Sequence, residues 1–240
     1  MDKVNILGVE VSAMTHDQTI NTLIDAVDND KKKFVVTANP EIILHAYENR
    51  DYFQELSKAD IITADGIGVV KGAKLLGRSI PERVTGFDLF ISLLRKADQK
   101  GNSIYLLGAK EAVLNKTVTY IEEQYPNIKI VGKHNGYFDW EDPSIAKEIA
   151  GKKPDFVFVA LGFPRQEKWI GKYIEQFNKG VFIGIGGSFD VLAGEVKRAP
   201  EIWQRLNLEW LYRLMKQPSR WRRMLALPRF VFKLYSYKQR

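Results

Sequence analysis

The sequence contains no cysteine. That excludes disulfides, thiolate-held metals, cysteine nucleophiles and thiol redox chemistry, and fits a chain made and kept in the cytoplasm. Histidine is scarce as well. His16, His45 and His134 are the only three, and none has a second ligand at a usual metal-binding spacing. The one acidic pair of Asp-x-Asp form, Asp28 and Asp30, precedes Lys31-Lys32-Lys33 and reads as a solvated turn. Neither a metal nor a cofactor is expected. No apolar run approaches the roughly 18 residues that cross a bilayer. The opening Met1-Asp2-Lys3-Val4-Asn5 lacks the basic segment and apolar stretch of a signal or transit peptide.

What the sequence has is enough apolar material, 45% over 240 residues, for one full-sized domain. Its charge is lopsided. Residues 197–240 carry twelve Lys and Arg against Glu201 and Glu209, a net of +10, whereas the whole chain nets +7. Any attraction to an anionic partner therefore belongs to the tail. The composition shifts near Arg198-Ala199-Pro200, so the chain divides into a body over 1–196 and an appendage over 197–240.

Short runs rich in Val, Ile and Phe alternate with segments of helical period, the pattern of parallel strands joined by crossover helices. Strands are expected at Val4–Leu7, Phe34–Thr37, Ile61–Thr63, Ile104–Leu107, Ile128–Val131, Phe156–Leu161 and Val181–Ile185. Helices are expected over His16–Val27 and Gly86–Ala97, the latter entered through Thr85, with Asp88 completing a capping-box pattern. The fold class is α/β: a Rossmann-like, mostly parallel sheet flanked by helices, with a basic, aromatic-rich, helical C-terminal appendage.

In open α/β sheets ligands collect outside the carboxyl ends of the strands. Four loops there are unusual: Thr37-Ala38-Asn39-Pro40-Glu41, Thr63-Ala64-Asp65-Gly66-Ile67-Gly68, Leu161-Gly162-Phe163-Pro164-Arg165-Gln166-Glu167 and Gly184-Ile185-Gly186-Gly187-Ser188-Phe189-Asp190. Asn39 before Pro40 reads as a helix cap with proline at the first helical position, and equally as a polar group facing the crevice. Thr37 is an ordinary strand residue or a ligand contact. Asp65, flanked by Gly66 and Gly68, is a carboxylate placed where backbone can approach a substrate, or the cap of the next helix. Arg83 is a partner for phosphate charge or for a surface acid. The G-x-G-G order of the last loop departs from the G-x-G-x-x-G dinucleotide fingerprint, so NAD is not expected. Such a turn can still offer N–H groups to a phosphate or ribose, with Asp190 near a ribose hydroxyl, or Asp190 simply occupies a first helical turn.

In the tail, Arg213, Lys216, Arg220 and Arg223 would share one helical face if a helix continued past Pro218. Trp210, Leu214, Trp221, Leu225, Phe230 and Phe232 lie among them and suit either packing on the body or the interfacial layer of an anionic membrane. Interleaved Arg and aromatics can also stack bases, but no nucleic-acid motif accompanies them and no nucleic-acid partner is expected.

Taken in order, the four loops, Arg83-Val84-Thr85-Gly86-Phe87-Asp88-Leu89, Arg198-Ala199-Pro200 and Glu209-Trp210-Leu211-Tyr212-Arg213-Leu214 resemble the WecG/TagA/CpsF glycosyltransferases, glycosyltransferase family 26, over nearly the whole chain. The resemblance is nearest to the TagA type. It implies a UDP-sugar donor, N-acetylmannosamine in particular, and an undecaprenyl-diphosphate-linked N-acetylglucosamine acceptor in wall teichoic acid synthesis. It also implies a peripheral location on the cytoplasmic face of the bacterial membrane and a basic tail that both binds the membrane and completes the active site.

On that footing an inverting, metal-independent transfer is expected. Asp65 serves as general base, and Arg83 with Arg213, Arg220 and Arg223 meets diphosphate charge. Thr37, Asn39 and Gln166 orient the sugars, while Tyr137, Gly186, Gly187 and Asp190 hold the nucleotide. Homo-oligomerisation is left open.

Overall fold

The computed structural model of the chain describes residues 2–218 and 221–239, the side chains of 213, 222 and 223 lying outside that description. The first two strands form a separate antiparallel hairpin, β1 (Lys3–Ile6) with β2 (Val9–Ser12), in which Ile6 pairs with Val9. Between them Leu7 and Gly8 take φ of 52° and 89°, both in the left-handed region, which matches the turn twist to that of the strands. The strand expected at Val4–Leu7 corresponds to β1, and β2 is an additional strand.

The main sheet has six parallel strands: β3 (Lys32–Ala38), β4 (Ile61–Ala64), β5 (Ser103–Gly108), β6 (Lys129–His134), β7 (Phe156–Ala160) and β8 (Gly180–Gly184), in the order β4-β3-β8-β7-β5-β6. Every strand expected for the sheet is present within a few residues of its expected ends.

The helices of the body are α1 (His16–Asp28), α2 (Pro40–Glu48), α3 (Arg50–Leu56), α4 (Ile67–Leu75), α5 (Gly86–Lys100), α6 (Glu111–Gln124), α7 (Ser144–Lys152), α8 (Arg165–Tyr173) and α9 (Ser188–Leu192). They cover both faces, as an all-parallel sheet requires. Side chains alternate along the strands. Val36, Val157 and Val159 meet α2, α4, α7 and α8 in one core, whereas Val35, Phe156, Phe158 and Ile183 meet α1, α5, α6 and α9 in the other.

That division places the site. Strands β3 and β7 hand the chain to helices on the first face, α2 and α8, and β8 between them hands it to α9 on the second. Where neighbouring strands turn to opposite faces a crevice opens at their carboxyl ends.

The tail folds as α10 (Glu201–Arg205), α11 (Glu209–Lys216), α12 (Trp221–Met224) and α13 (Ala226–Lys238). The continuous helix that would align Arg213, Lys216, Arg220 and Arg223 does not form, because α11 ends at Lys216, ahead of Pro218, whose ring disfavours helical backbone in the residue before it. Pro228, by contrast, does not divide the segment. It lies in the first turn of α13, where the N–H it lacks has no intrahelical acceptor.

Helix α13 packs on α2 and α4, sending Phe230 and Leu234, 1% and 0% exposed, into the first core. The approach is close because Gly72 of α4 has no side chain: a Cβ there would fall 2.9 Å from Leu234 Cδ1 and 3.0 Å from Phe230 Cε1. Among the described residues no helix is long and apolar enough to cross a membrane.

Candidate functional site

Asp65 follows β4. It is not the cap of α4, whose N-cap is Gly66 at φ 129° with no side-chain bond. Its Oδ2 instead accepts the N–H of Gly86, 3.2 Å away at the start of α5. The carboxylate is thus held from one side by a helix N-terminus and lines the crevice.

Two cavities meet there. The first, about 230 Å³, runs from Asn39, Asp65 and Arg83 to the tail residues Glu209, Trp210, Met224 and Leu227. The second, about 250 Å³, is walled by Thr37, Gln166, Gly186, Gly187 and Asp190, with Lys197, Tyr212 and Lys216 from the tail side. Asn39, Asp65 and Gly187 line both. Of the expected site residues, Thr37, Asn39, Asp65, Arg83, Gln166, Gly186, Gly187 and Asp190 all reach these cavities. Tyr137 does not line either one; it stands 72% exposed in the loop after β6. Arg220 and the side chains of Arg213 and Arg223 lie outside the described residues.

The local bonds refine the roles. Asn39 caps α2, its Oδ1 accepting the N–H of Ile42 at 3.0 Å, with Pro40 at the first helical position. The capping reading therefore holds while the residue also faces both cavities. Thr37, 7% exposed, donates its hydroxyl to the carbonyl of Gly184 at 3.1 Å. Gln166, 4% exposed, accepts the N–H of Gly186 at 3.0 Å through Oε1. Two side chains thus fasten the end of β8, and the Gly186 N–H expected to face a phosphate is already engaged. Asp190 lies in the first turn of α9 and lines the second cavity as well.

Arg83 pairs with an acid from the tail. Its Nη1 lies 3.8 Å from Glu209 Oε2, and Arg198 Nε lies 3.9 Å from Glu209 Oε1. Arg198 in turn grips Asp88 through two bonds of 2.6 and 3.0 Å, a bidentate geometry suited to guanidinium. Burial pulls the Asp88 carboxyl upward, but Arg198 and the Thr85 hydroxyl together hold it below the usual carboxylate range. The expected capping box is incomplete: Thr85 caps α5, but the Asp88 carboxylate accepts from the Thr85 hydroxyl at 2.6 Å and is shared with Arg198.

Glu209, Arg198 and Glu167 were within motifs that the sequence displays, yet only their burial and partners reveal what they do. Asp28 and Asp30, as expected of a turn, pair with Lys100 and Lys179 at the surface. Among the described residues no group of three or more His, Asp or Glu is arranged to hold a metal ion.

Residues 4–240 match the model of the Glycosyl transferase WecG/TagA/CpsF family. The chain belongs to this family. Relatives agree along most of its length. A Bacillus spizizenii protein named N-acetylglucosaminyldiphosphoundecaprenol N-acetyl-beta-D-mannosaminyltransferase is 48% identical, the match covering 85% of this chain and 79% of the relative. A Bacillus subtilis protein of the same name is also 48% identical, over 85% of this chain and 80% of its own. A Staphylococcus aureus protein of that name is 38% identical over 99% of this chain and 94% of its own. In this chain Asp65 stands on the wall between two cavities, beside a glycine-rich strand end.

Proposed function

We propose that this chain transfers N-acetylmannosamine from UDP-N-acetylmannosamine to N-acetylglucosaminyl-diphospho-undecaprenol, a step in building the linkage unit of wall teichoic acid. The observation that carries the reading is the position of Asp65, on the wall shared by both cavities. The second cavity, beside the glycine-rich loop and Asp190, takes the UDP-sugar. The first, which passes from Arg83 to Trp210, Met224 and Leu227 of the tail, takes the acceptor, its sugar at Asp65 and its diphosphate and first isoprene units toward the tail.

In this scheme the acceptor hydroxyl attacks the anomeric carbon as the bond to the UDP oxygen breaks, so the configuration inverts. Asp65 takes the hydroxyl proton. The leaving diphosphate gains negative charge, which the tail cations Lys197 and Lys216 of the second cavity offset, while Arg83 of the first meets the diphosphate of the acceptor. The exposed Trp221, Leu225 and Phe232 and the basic charge of the tail meet the anionic inner surface of the membrane, residues 197–240 acting as a unit that docks there and closes the site. Arginine and lysine, not a metal, supply the positive charge.

The test is UDP release by purified protein given UDP-N-acetylmannosamine, with and without a short-chain N-acetylglucosaminyl-diphospho-lipid, in EDTA. Release that depends on acceptor and survives EDTA is expected. Release abolished by EDTA would overturn metal independence, and release only from another UDP-sugar would overturn the donor assignment.

A further inference from the structure

Glu167 is a buried acid to which the mechanism above gives no task. It is fully buried on the first turn of α8, and burial pushes its carboxyl up to about 7. Interior carboxyl groups are costly to keep, and an apolar residue would fill the space without that cost. The geometry gives the acid a use. Glu167 Oε1 accepts from Gln166 Nε2 at 2.7 Å, and Gln166 Oε1, at the other end of the same amide, accepts from the Gly186 N–H at 3.0 Å.

An amide presents a donor on one side and an acceptor on the other. Flipped, Gln166 would set its NH₂ against the Gly186 N–H and its carbonyl against the carboxyl oxygen, losing both bonds. Gln166 also lies flat on the strand end: a Cβ on Gly184 would come 2.5 Å from its Nε2. On the opposite side Thr37 holds the Gly184 carbonyl. The turn that walls the second cavity is therefore clamped from both sides, and the clamp on the α8 side works only with one orientation of one amide.

We infer that Glu167 is a positioning residue: it fixes the orientation of the Gln166 amide and through it the Gly186–Gly187 turn against which the donor nucleotide sits. The inference rests on reading the second cavity as the donor site. Glu167 touches no substrate, so its effect belongs in donor affinity and not in the chemical step. Either protonation state retains an oxygen that accepts from Gln166.

The experiment combines amide hydrogen exchange at Gly186 in the unliganded protein with kinetics of acceptor-dependent UDP release. Glu167→Met removes the acceptor at similar length and without a branched side chain, leaving a buried donor unmade, a loss that corresponds to about tenfold. Exchange at Gly186 is expected to quicken about tenfold and KM for the UDP-sugar to rise about tenfold, with kcat changed by less than about threefold. Glu167→Gln, which can turn its own carbonyl toward Gln166, is expected to restore both. Gln166→Met is expected to quicken Gly186 exchange as Glu167→Met does, and the double variant to exchange no faster than the faster of the two.

Unchanged Gly186 exchange in Glu167→Met or in Gln166→Met overturns the inference, as does quickened exchange with KM unmoved. Should Glu167→Met fail to fold, exchange in Gln166→Met decides. The exchange arm needs no substrate. If wild-type protein does not turn over the UDP-sugar, the transferase reading fails on its own while the clamp is still judged.

Discussion

Replacing Gly72 tests how the tail and the body depend on each other. The residue lies in α4 beneath α13, where an added Cβ would be 2.9 Å from Leu234 Cδ1 and 3.0 and 3.2 Å from Phe230 Cε1 and Cζ. Alanine gains about 1 kcal/mol of helix propensity over glycine, while overpacking costs roughly 1–3 kcal/mol, so Gly72→Ala is expected to be near neutral. Gly72→Leu cannot be accommodated by a side-chain adjustment. It must lift α13, exposing Phe230 and Leu234, each contributing about 1.5–3 kcal/mol when buried. A loss of even about 3 kcal/mol raises the undocked population on the order of a hundredfold. Limited trypsin digestion reads this directly, because Arg229 and Lys233 lie on α13. Their cleavage is expected to accelerate by about that factor in Gly72→Leu, with the sheet still cooperative in urea and the protein still stabilised by UDP. Wild-type resistance at Arg229 and Lys233 would refute the view that close approach at Gly72 seats the tail.

Further expectations concern single groups. Asp65→Asn is expected to cut turnover by about 10²–10⁴-fold while the shift in melting temperature caused by UDP stays near wild type; turnover close to normal would remove Asp65 from the base role. Glu167 is held up to about 7 against an unfolded value of 4.5, so its burial costs little below pH 4.5, and the cost grows until it is complete above pH 7. Integrated over that window the ionised acid costs roughly 3 kcal/mol. Glu167→Gln is therefore expected to gain about that much over wild type in urea unfolding on going from pH 4.5 to 8; a gap that does not change with pH would count against a raised carboxyl. Deleting residues 197–240 is expected to abolish co-sedimentation with anionic vesicles, and retention on them would place the membrane contact in the body.

Much of the sheet is legible in the sequence because parallel strands buried on both sides must be continuous apolar runs, as Phe156–Ala160 and Gly180–Gly184 are. Strand β2 escaped because Val9, Val11 and the two-residue turn before them make too short a pattern to separate from β1. The loops after β3, β4, β7 and β8 stand out through Asn-Pro, Asp-Gly and glycine clusters, since crowded strand-to-helix turns restrict residue choice. Those signals brought Thr37, Asn39, Asp65 and Gln166 to one place. What they could not convey is pairing across the chain: Arg83 with Glu209, 126 positions apart by their numbers, or an amide spoken for by its sequence neighbour Glu167. Tyr137 illustrates the converse, an aromatic in a strand-end loop that projects outward because β6 is the sheet edge, farthest from the crevice at β8.

The carboxylate between Arg83 and Arg198 comes from α11, not from the body. A protein shortened at residue 196 would therefore lose more than the membrane contact proposed for the tail. It would lose Arg198 itself, the counter-ion of Asp88, and the acid that faces Arg83, so that the mouth of the first cavity would change its electrostatic character at the same time as it lost a wall. Residual activity in such a fragment measures a differently charged enzyme, and the contribution of the tail to catalysis is better weighed by neutralising Glu209 in the intact chain than by removing everything after the sheet.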